Sequence, residues 1–237
     1  ASLFHWQVMK LRKALTITGL FFIILIVLGE LLLPTVVESA LESRLSQKFS
    51  TPHVDVELSA SPRLMLLLGR TDSLSVTVKD GQVGQLRVHE MALSGRKAVL
   101  DMSSFTAGRL ALEQAEALDL TAMFDENGLR EALARKINKA DNVEVHITDD
   151  NVLVTADTNL LGHKAQLSLV GHIVADDGTL YFDTDQFDIQ NSPFGTARLG
   201  DSLGRIALVK PEQLPLKMRV VSVDQQEGSV IVRAGEE

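Results

Sequence analysis

The chain has 237 residues, 45% of them hydrophobic but only 5% aromatic, and a formal net charge of −8. It contains no cysteine, which excludes disulfide staples, thiolate metal sites and a lipid-modified cysteine anchor. The acidic balance, with no Lys/Arg cluster, argues against a nucleic-acid partner, and one Trp with one Tyr leaves no stacking platform for bases or sugars.

Taken in chain order, the first element is a membrane segment. Lys10, Arg12 and Lys13 precede an uncharged apolar run from Ala14 to Gly29; Glu30 interrupts it, and Leu31 to Val37 complete it. The 24 residues from Ala14 to Val37 span about 36 Å as a helix, against a hydrocarbon core of about 30 Å. A cleavable signal has an apolar core of roughly 7–15 residues and a small-residue cleavage site, whereas only a poor site exists here at Ser39 and Ala40. The segment therefore reads as an uncleaved anchor rather than a removed signal. Glu30 falls about 24 Å into this helix, near the outer interface, where a carboxylate costs far less than at the bilayer centre. Cations before the run and none close after it place residues 1–13 in the cytoplasm and 38–237 outside it. The expected localisation is thus a single-pass cell-membrane protein with an extracytoplasmic domain. Met9 followed by Lys10 also reads as a natural start, with Ala1 to Val8 ahead of it.

Residues 38–237 suit one domain or two small ones, long enough to bury about 70% of the chain's surface. Val36 to Phe49 continues the helix out of the membrane, with Val37, Leu41, Leu45 and Phe49 on one face, until Pro52 stops it. Val54, Val56, Leu58 and Ala60 then alternate with polar residues as a half-buried strand. Leu74, Val76 and Val78 repeat the pattern, and Asp80-Gly81 is expected to turn the chain. Further strands are expected around Val143–Ile147, Val152–Ala156, Ala165–Leu169, Leu180–Phe182, Leu216–Val220 and Val230–Val232. Two helices interrupt them. Asp125 to Asn138 has Asp125 as N-cap and Leu129, Leu133 and Ile137 as its apolar stripe, and Thr196 to Ala207 is weaker. Many antiparallel strands with few helices give an α+β fold, each helix laid on or inside an apolar sheet face.

Enzyme-like signals fail on inspection. Gly200-Asp201-Ser202-Leu203-Gly204 matches the G-x-S-x-G nucleophile elbow, but no strand precedes it and the last histidine, His172, lies upstream. Asp183, Asp185 and Asp188 open like a calcium loop, yet Asp188 stands where glycine is needed and Phe194 where a carboxylate is needed. The six histidines show no zinc spacing. No catalytic residue, metal site or cofactor is assigned.

Two places carry more apolar surface than a turn should. Leu64, Met65, Leu66, Leu67 and Leu68 form a continuous run between Pro62 and Gly69, so as a strand both its faces would need cover. Leu160-Leu161 sits before Gly162, where a hairpin turn belongs. Ordinary burial under a helix explains both; a lipid-lined groove or a lip touching the membrane is the functional alternative.

These features together resemble a known family. The anchor ending Gly29-Glu30-Leu31-Leu32-Leu33-Pro34 is followed by a helix and the Leu-rich segment closing on Gly69-Arg70. Then come Asp72-Ser73-Leu74-Ser75-Val76-Thr77-Val78, Gly84-Gln85-Leu86-Arg87-Val88 and the Asp125–Asn138 helix. From about Gly29 to Val232 the chain resembles the LmeA-like family of bacterial phospholipid-binding proteins. The resemblance implies a tubular lipid-binding-like fold, a strongly curved antiparallel sheet wrapped around a helix, and non-enzymatic phospholipid binding in the cell envelope. It supplies no catalytic residue. The acidic net charge mildly favours zwitterionic or weakly anionic cargo, or docking through apolar lips.

Two functions from different classes follow. One is a membrane-anchored phospholipid-binding domain acting in lipid transfer or envelope maintenance. The other is a structural or scaffolding envelope domain that recruits a protein partner. For the first, the candidate lipid-contacting residues are Leu64, Leu66, Leu68, Leu129, Leu133, Ile137, Leu160 and Leu161.

Overall fold

A computed structural model of the chain describes residues 2–101, 103–104, 111–136, 140–160, 163–190, 205–214 and 218–235. The first element, α1 (Ser2–Phe49), is one continuous helix of 48 residues, about 72 Å long. Between Leu20 and Leu28 its large side chains are exposed on every face. The Leu20–Phe49 stretch reaches a mean hydropathy of 2.7, with nothing in its most apolar window buried by the protein, so it is long and apolar enough to cross a membrane. Beyond Pro34 the pattern narrows to a stripe. Leu41, Leu45 and Phe49 are buried, as their four-residue spacing requires, and Val37 packs against the same core.

The remainder is built from antiparallel strands in two main sheets. Strands β1 (Val54–Ser59), β2 (Ser73–Val83), β3 (Leu86–Arg96) and β6 (Ala117–Asp125) form the first with β12 (Arg219–Gln226) and β13 (Ser229–Gly235), in the order β1-β2-β3-β6-β13-β12. Strands β7 (Ala140–Ile147), β8 (Val152–Leu160), β9 (His163–Asp176), β10 (Thr179–Gln190) and β11 (Ile206–Val209) form the second, ordered β11-β10-β9-β8-β7. A short pair, β4 (Val99–Leu100) and β5 (Leu112–Gln114), lies outside both. The sheets curl into a half-barrel and meet along β12. The Val220 N–H donates to the Gly178 carbonyl at 3.0 Å and the Gly228 N–H to the Ile147 carbonyl at 2.9 Å.

Alternation decides which faces turn inward. In β6, Leu118, Leu120, Ala122 and Phe124 are buried while Asp119 and Thr121 are exposed, and Val230, Val232 and Ala234 do the same in β13. Helix α2 (Glu126–Lys136) lies against β3, β6 and β7, with Leu129, Ala132 and Leu133 buried and Arg130, Arg135 and Lys136 exposed, so one face of the helix packs on the curled sheets. Asp125 is its N-cap, with Oδ1 accepting the Gly128 N–H at 2.9 Å. Gly128 marks a close approach, because a Cβ there would sit 2.3 Å from the Arg87 carbonyl oxygen of β3. Gly128→Ala gains about 1 kcal/mol of helix propensity yet must push α2 off the sheet, and overpacking of that kind costs about 1–3 kcal/mol. The expected outcome is a net loss of stability from a change to the best helix former, read as a lower denaturation midpoint.

The edge of β1 is closed by α1. The Leu58 and Val56 N–H groups point away from β2 and donate to the carboxylates of Glu38 at 2.8 Å and Glu42 at 3.4 Å. An open strand edge invites pairing with another chain, and here two acidic side chains satisfy it. Removing one leaves a part-buried donor unmet, so Glu38→Ala is expected to cost about 1–2 kcal/mol in chemical denaturation.

Three expectations are corrected. Asp80-Gly81 does not turn the chain: β2 runs on to Val83, Gly81 pairs with Val88, and the reversal comes at Gly84, whose φ is +60°. Glycine is needed at 81 for a different reason. A Cβ there would lie 2.8 Å from Val78 Cγ1 and 3.5 Å from Phe49 Cβ, where the end of α1 crosses the strand. The Leu64–Leu68 run is no strand but part of a 3-10 helix, Arg63–Leu68. Finally, Ile206 and Ala207 belong to β11 rather than to a helix, since they pair with Phe182 and Tyr181. Residues 196–204 of that expected helix, with the Gly200–Gly204 motif, lie outside the described residues, as does Leu216, and Arg205 is in neither helix nor strand.

Candidate functional site

The distal third of α1 does not press flat on the sheet. Leu41, Leu45, Lys48 and Phe49 of α1 face Leu74 and Val76 of β2 and Met91 and Leu93 of β3 across a cleft. Leu100 of β4 and Leu112 of β5 close its side. Each wall follows from a local rule: four-residue spacing on α1, and alternation on β2 and β3. The β4–β5 pair is held beside the 3-10 helix by backbone bonds, Leu100 N–H to the Gly69 carbonyl at 2.7 Å and Thr71 N–H to the Ala98 carbonyl at 2.8 Å. That end of the sheet lies towards the apolar part of α1, because β1 runs back along α1 past Glu42 and Glu38 and the following Arg63 reaches Glu30.

Met91 also lines a second apolar space between the sheets, with Leu86, Leu120, Phe124, Leu180 and Val220 among its walls. The two apolar spaces thus share Met91 as a common wall, and both are narrow. The cleft measures about 570 Å³ with its open mouth, but the space a water could enter is only about 30 Å³, and about 20 Å³ in the second cavity. Such volumes admit a water or two and no acyl chain.

Among the described residues, Lys48 is the single charged side chain lining the cleft. Its Nζ lies 5.8 Å from the Phe49 ring centroid, within cation–π range. Desolvation at this apolar rim pulls the ammonium below the ordinary lysine range, although the side chain as a whole is exposed.

The Leu-rich 3-10 helix docks on α1 at the level of the anchor. The Glu30 carboxylate accepts the Arg63 N–H at 3.1 Å and the Leu64 N–H at 3.4 Å. Pro34 has no N–H to give the Glu30 carbonyl, its i−4 partner, and Arg63 Nη1 takes that acceptor at 3.0 Å. Leu64 lies over Gly29, whose missing Cβ would be 3.3 Å from Leu64 Cδ2.

The expected lipid-contacting residues are scattered relative to the cleft. Leu66 is 1% exposed inside the fold and Leu64 is half-buried on α1, whereas Leu68 is 63% exposed. Leu129 and Leu133 are fully buried in the core and line neither apolar cavity. Leu160 ends β8, paired with His163. Ile137 and Leu161 lie outside the described residues. The cleft walls read in the sequence as plain core. Their signal, the Leu41–Leu45–Phe49 stripe facing the Leu74–Val76 alternation, is visible on each element but not as a pair.

Two of the three carboxylates of the failed calcium loop, Asp183 and Asp185, have side-chain partners, whereas Asp188 Oδ1 is buried without one among the described residues. Asp183 accepts from Arg205 Nε at 2.9 Å, Arg205 also meets Asp176, and Asp185 meets His172. No group of three potential metal ligands occurs among the described residues.

The family model for LmeA-like phospholipid-binding proteins matches residues 28–235, from the last turns of the apolar helix through β13. The chain belongs to the LmeA-like phospholipid-binding family. No curated protein and no solved structure matches it. The matched span takes in Glu30, the Leu-rich 3-10 helix and every wall of the cleft.

Proposed function

We propose that this LmeA-like protein is a membrane-anchored carrier or sensor that takes phospholipid acyl chains into the cleft between α1 and the sheet, outside the cytoplasm, in lipid transfer or envelope maintenance. The observation that carries the reading is the pair of apolar spaces that share Met91, one between α1 and the sheet and the other between the two sheets. Two acyl chains of about 30 methylenes cost roughly 24 kcal/mol to expose to water, at about 0.8 kcal/mol each, so a carrier needs continuous aliphatic cover. Because these spaces are narrower than an acyl chain, acyl chains enter as α1 and the β4–β5 pair part from the sheet. No reaction is assigned, and the role is one of binding. The bilayer supplies the ligand and α1 holds the domain beside it.

Lys48 is placed to meet the phosphate of a lipid whose chains occupy the cleft. A lysine with a lowered folded pKa costs stability while both states are protonated. That cost disappears as pH climbs from the lowered value towards the reference value of 10.5. Lys48→Met is therefore expected to raise the melting temperature at neutral pH, to remove part of the stability gain seen on alkalinisation, and to weaken binding of anionic more than zwitterionic phospholipid. Thermal melts across pH and vesicle-loading assays check the three effects.

The competing reading, a scaffold that recruits an envelope protein, draws support from the closed interior. Organic extraction and mass spectrometry on residues 38–237, incubated with phospholipid vesicles, separates the two. Stoichiometric phospholipid supports the carrier; a folded fragment that stays empty supports the scaffold.

A further inference from the structure

Leu67 and Leu68 are 57% and 63% exposed at the end of the 3-10 helix, side by side. Their position relative to the anchor is fixed. The start of the same 3-10 helix is tied to Glu30 by three hydrogen bonds and to Gly29 by the packing of Leu64. If the hydrocarbon core begins at Ala14, Glu30 stands about 24 Å into it, some 6 Å short of its outer boundary of about 30 Å. Leu67 and Leu68 lie only four and five residues from Arg63, no more than about 10 Å along a helix rising about 2 Å per residue. They cannot leave the interfacial layer. The same segment carries exposed Arg63 and Arg70 at its two ends, cations flanking an apolar tip. That is the arrangement of an interfacial anchor, in which the leucines enter the acyl region, the Arg70 guanidinium meets lipid phosphate and Arg63 stays on the Glu30 carbonyl.

We infer that Arg63–Arg70 is a second membrane contact, inserted in the leaflet on the domain's side and braced against α1, with the lipid surface itself as partner. The inference rests on α1 spanning the bilayer but not on any lipid being carried in the cleft. It explains the polar ties. A carboxylate and a proline-orphaned carbonyl near the hydrocarbon need partners, and the 3-10 helix supplies them. Two anchoring points in place of one fix the tilt of the domain and hold the β4–β5 side of the cleft, bonded to Gly69 and Thr71, against the bilayer.

The natural absence of cysteine makes the test direct. Leu67→Cys, Leu68→Cys, Ile24→Cys and Glu227→Cys are each spin-labelled in the full chain and reconstituted in vesicles of phosphatidylcholine with a minority of phosphatidylglycerol. Relaxation by oxygen, which concentrates in hydrocarbon, is compared with relaxation by a water-soluble nickel complex. Labels at 67 and 68 are expected to favour oxygen several-fold over the label at 227, approaching that at 24. Gly29→Ile, which displaces Leu64, is expected to shift the label at 68 towards water while circular dichroism stays unchanged. A label at 68 as nickel-accessible as that at 227, with that at 24 still in lipid, overturns the insertion alone. Shielding of 68 from both reagents overturns it in favour of a protein contact. A water-exposed label at 24 overturns the anchor and the inference with it.

Discussion

Leu45→Trp is expected to abolish phospholipid loading while leaving the protein folded. Leu45 is 5% exposed on the inner face of α1, directly in the cleft wall. An indole there fills the space an acyl chain must take, at an overpacking cost of about 1–3 kcal/mol. Leu45→Ala has the opposite profile. It removes more packing, about 2–5 kcal/mol, but widens the cleft, so loading is retained or increased. The diagnostic result is this inversion: the less stable variant binds lipid and the more stable one does not. Loading followed by mass spectrometry, alongside thermal melts of both variants, reads it directly. Equal loss in both variants means that lipid binding merely follows stability and that the cleft is not the site.

Phe124→Ala is expected to be the most damaging single truncation in the core. Phe124 is fully buried at the end of β6, reaches the cavity between the sheets and pairs in register with Val230 of β13. Removing its ring costs about 3–5 kcal/mol. For a domain of this size each kcal/mol moves the melting temperature by about 2–4 °C, so a fall of roughly 6–20 °C is expected by calorimetry. A fall of under about 3 °C would show that the two sheets do not share one core through this residue.

What can be read from the sequence is whatever local chemistry determines. The α1 stripe, the alternation in β1 and β2, and the Asp125 cap each depend on residues within a few positions of one another, and all appear as expected. The errors arise where a distant segment decides. Asp80-Gly81 has turn composition, but its glycine answers to the passage of Phe49, more than thirty positions earlier. The Leu64–Leu68 run has no period that distinguishes strand from 3-10 helix, and its geometry is set by Glu30 and Pro34 on α1. Ile206 and Ala207 are held as strand by the edge of β10. The cleft is illegible for the same reason. Its walls come from α1, β2, β3, β4 and β5, each with an ordinary apolar face, and only the fold brings those faces together. The Leu-rich segment stands out by composition, and the structure gives it a place beside the membrane helix rather than inside the cleft.

The most direct test of the lipid-carrier reading is photo-cross-linking of the full chain in vesicles, using a phospholipid with a diazirine near the end of one acyl chain. Peptides are then mapped by mass spectrometry. The carrier reading expects adducts on cleft-lining segments, around Leu41 and Leu45, Met91 and Leu93, and Leu100 or Leu112, in addition to the membrane part of α1. Adducts confined to residues 20–37 and the 3-10 helix would contradict it, leaving a protein that touches the bilayer but takes no lipid into its fold.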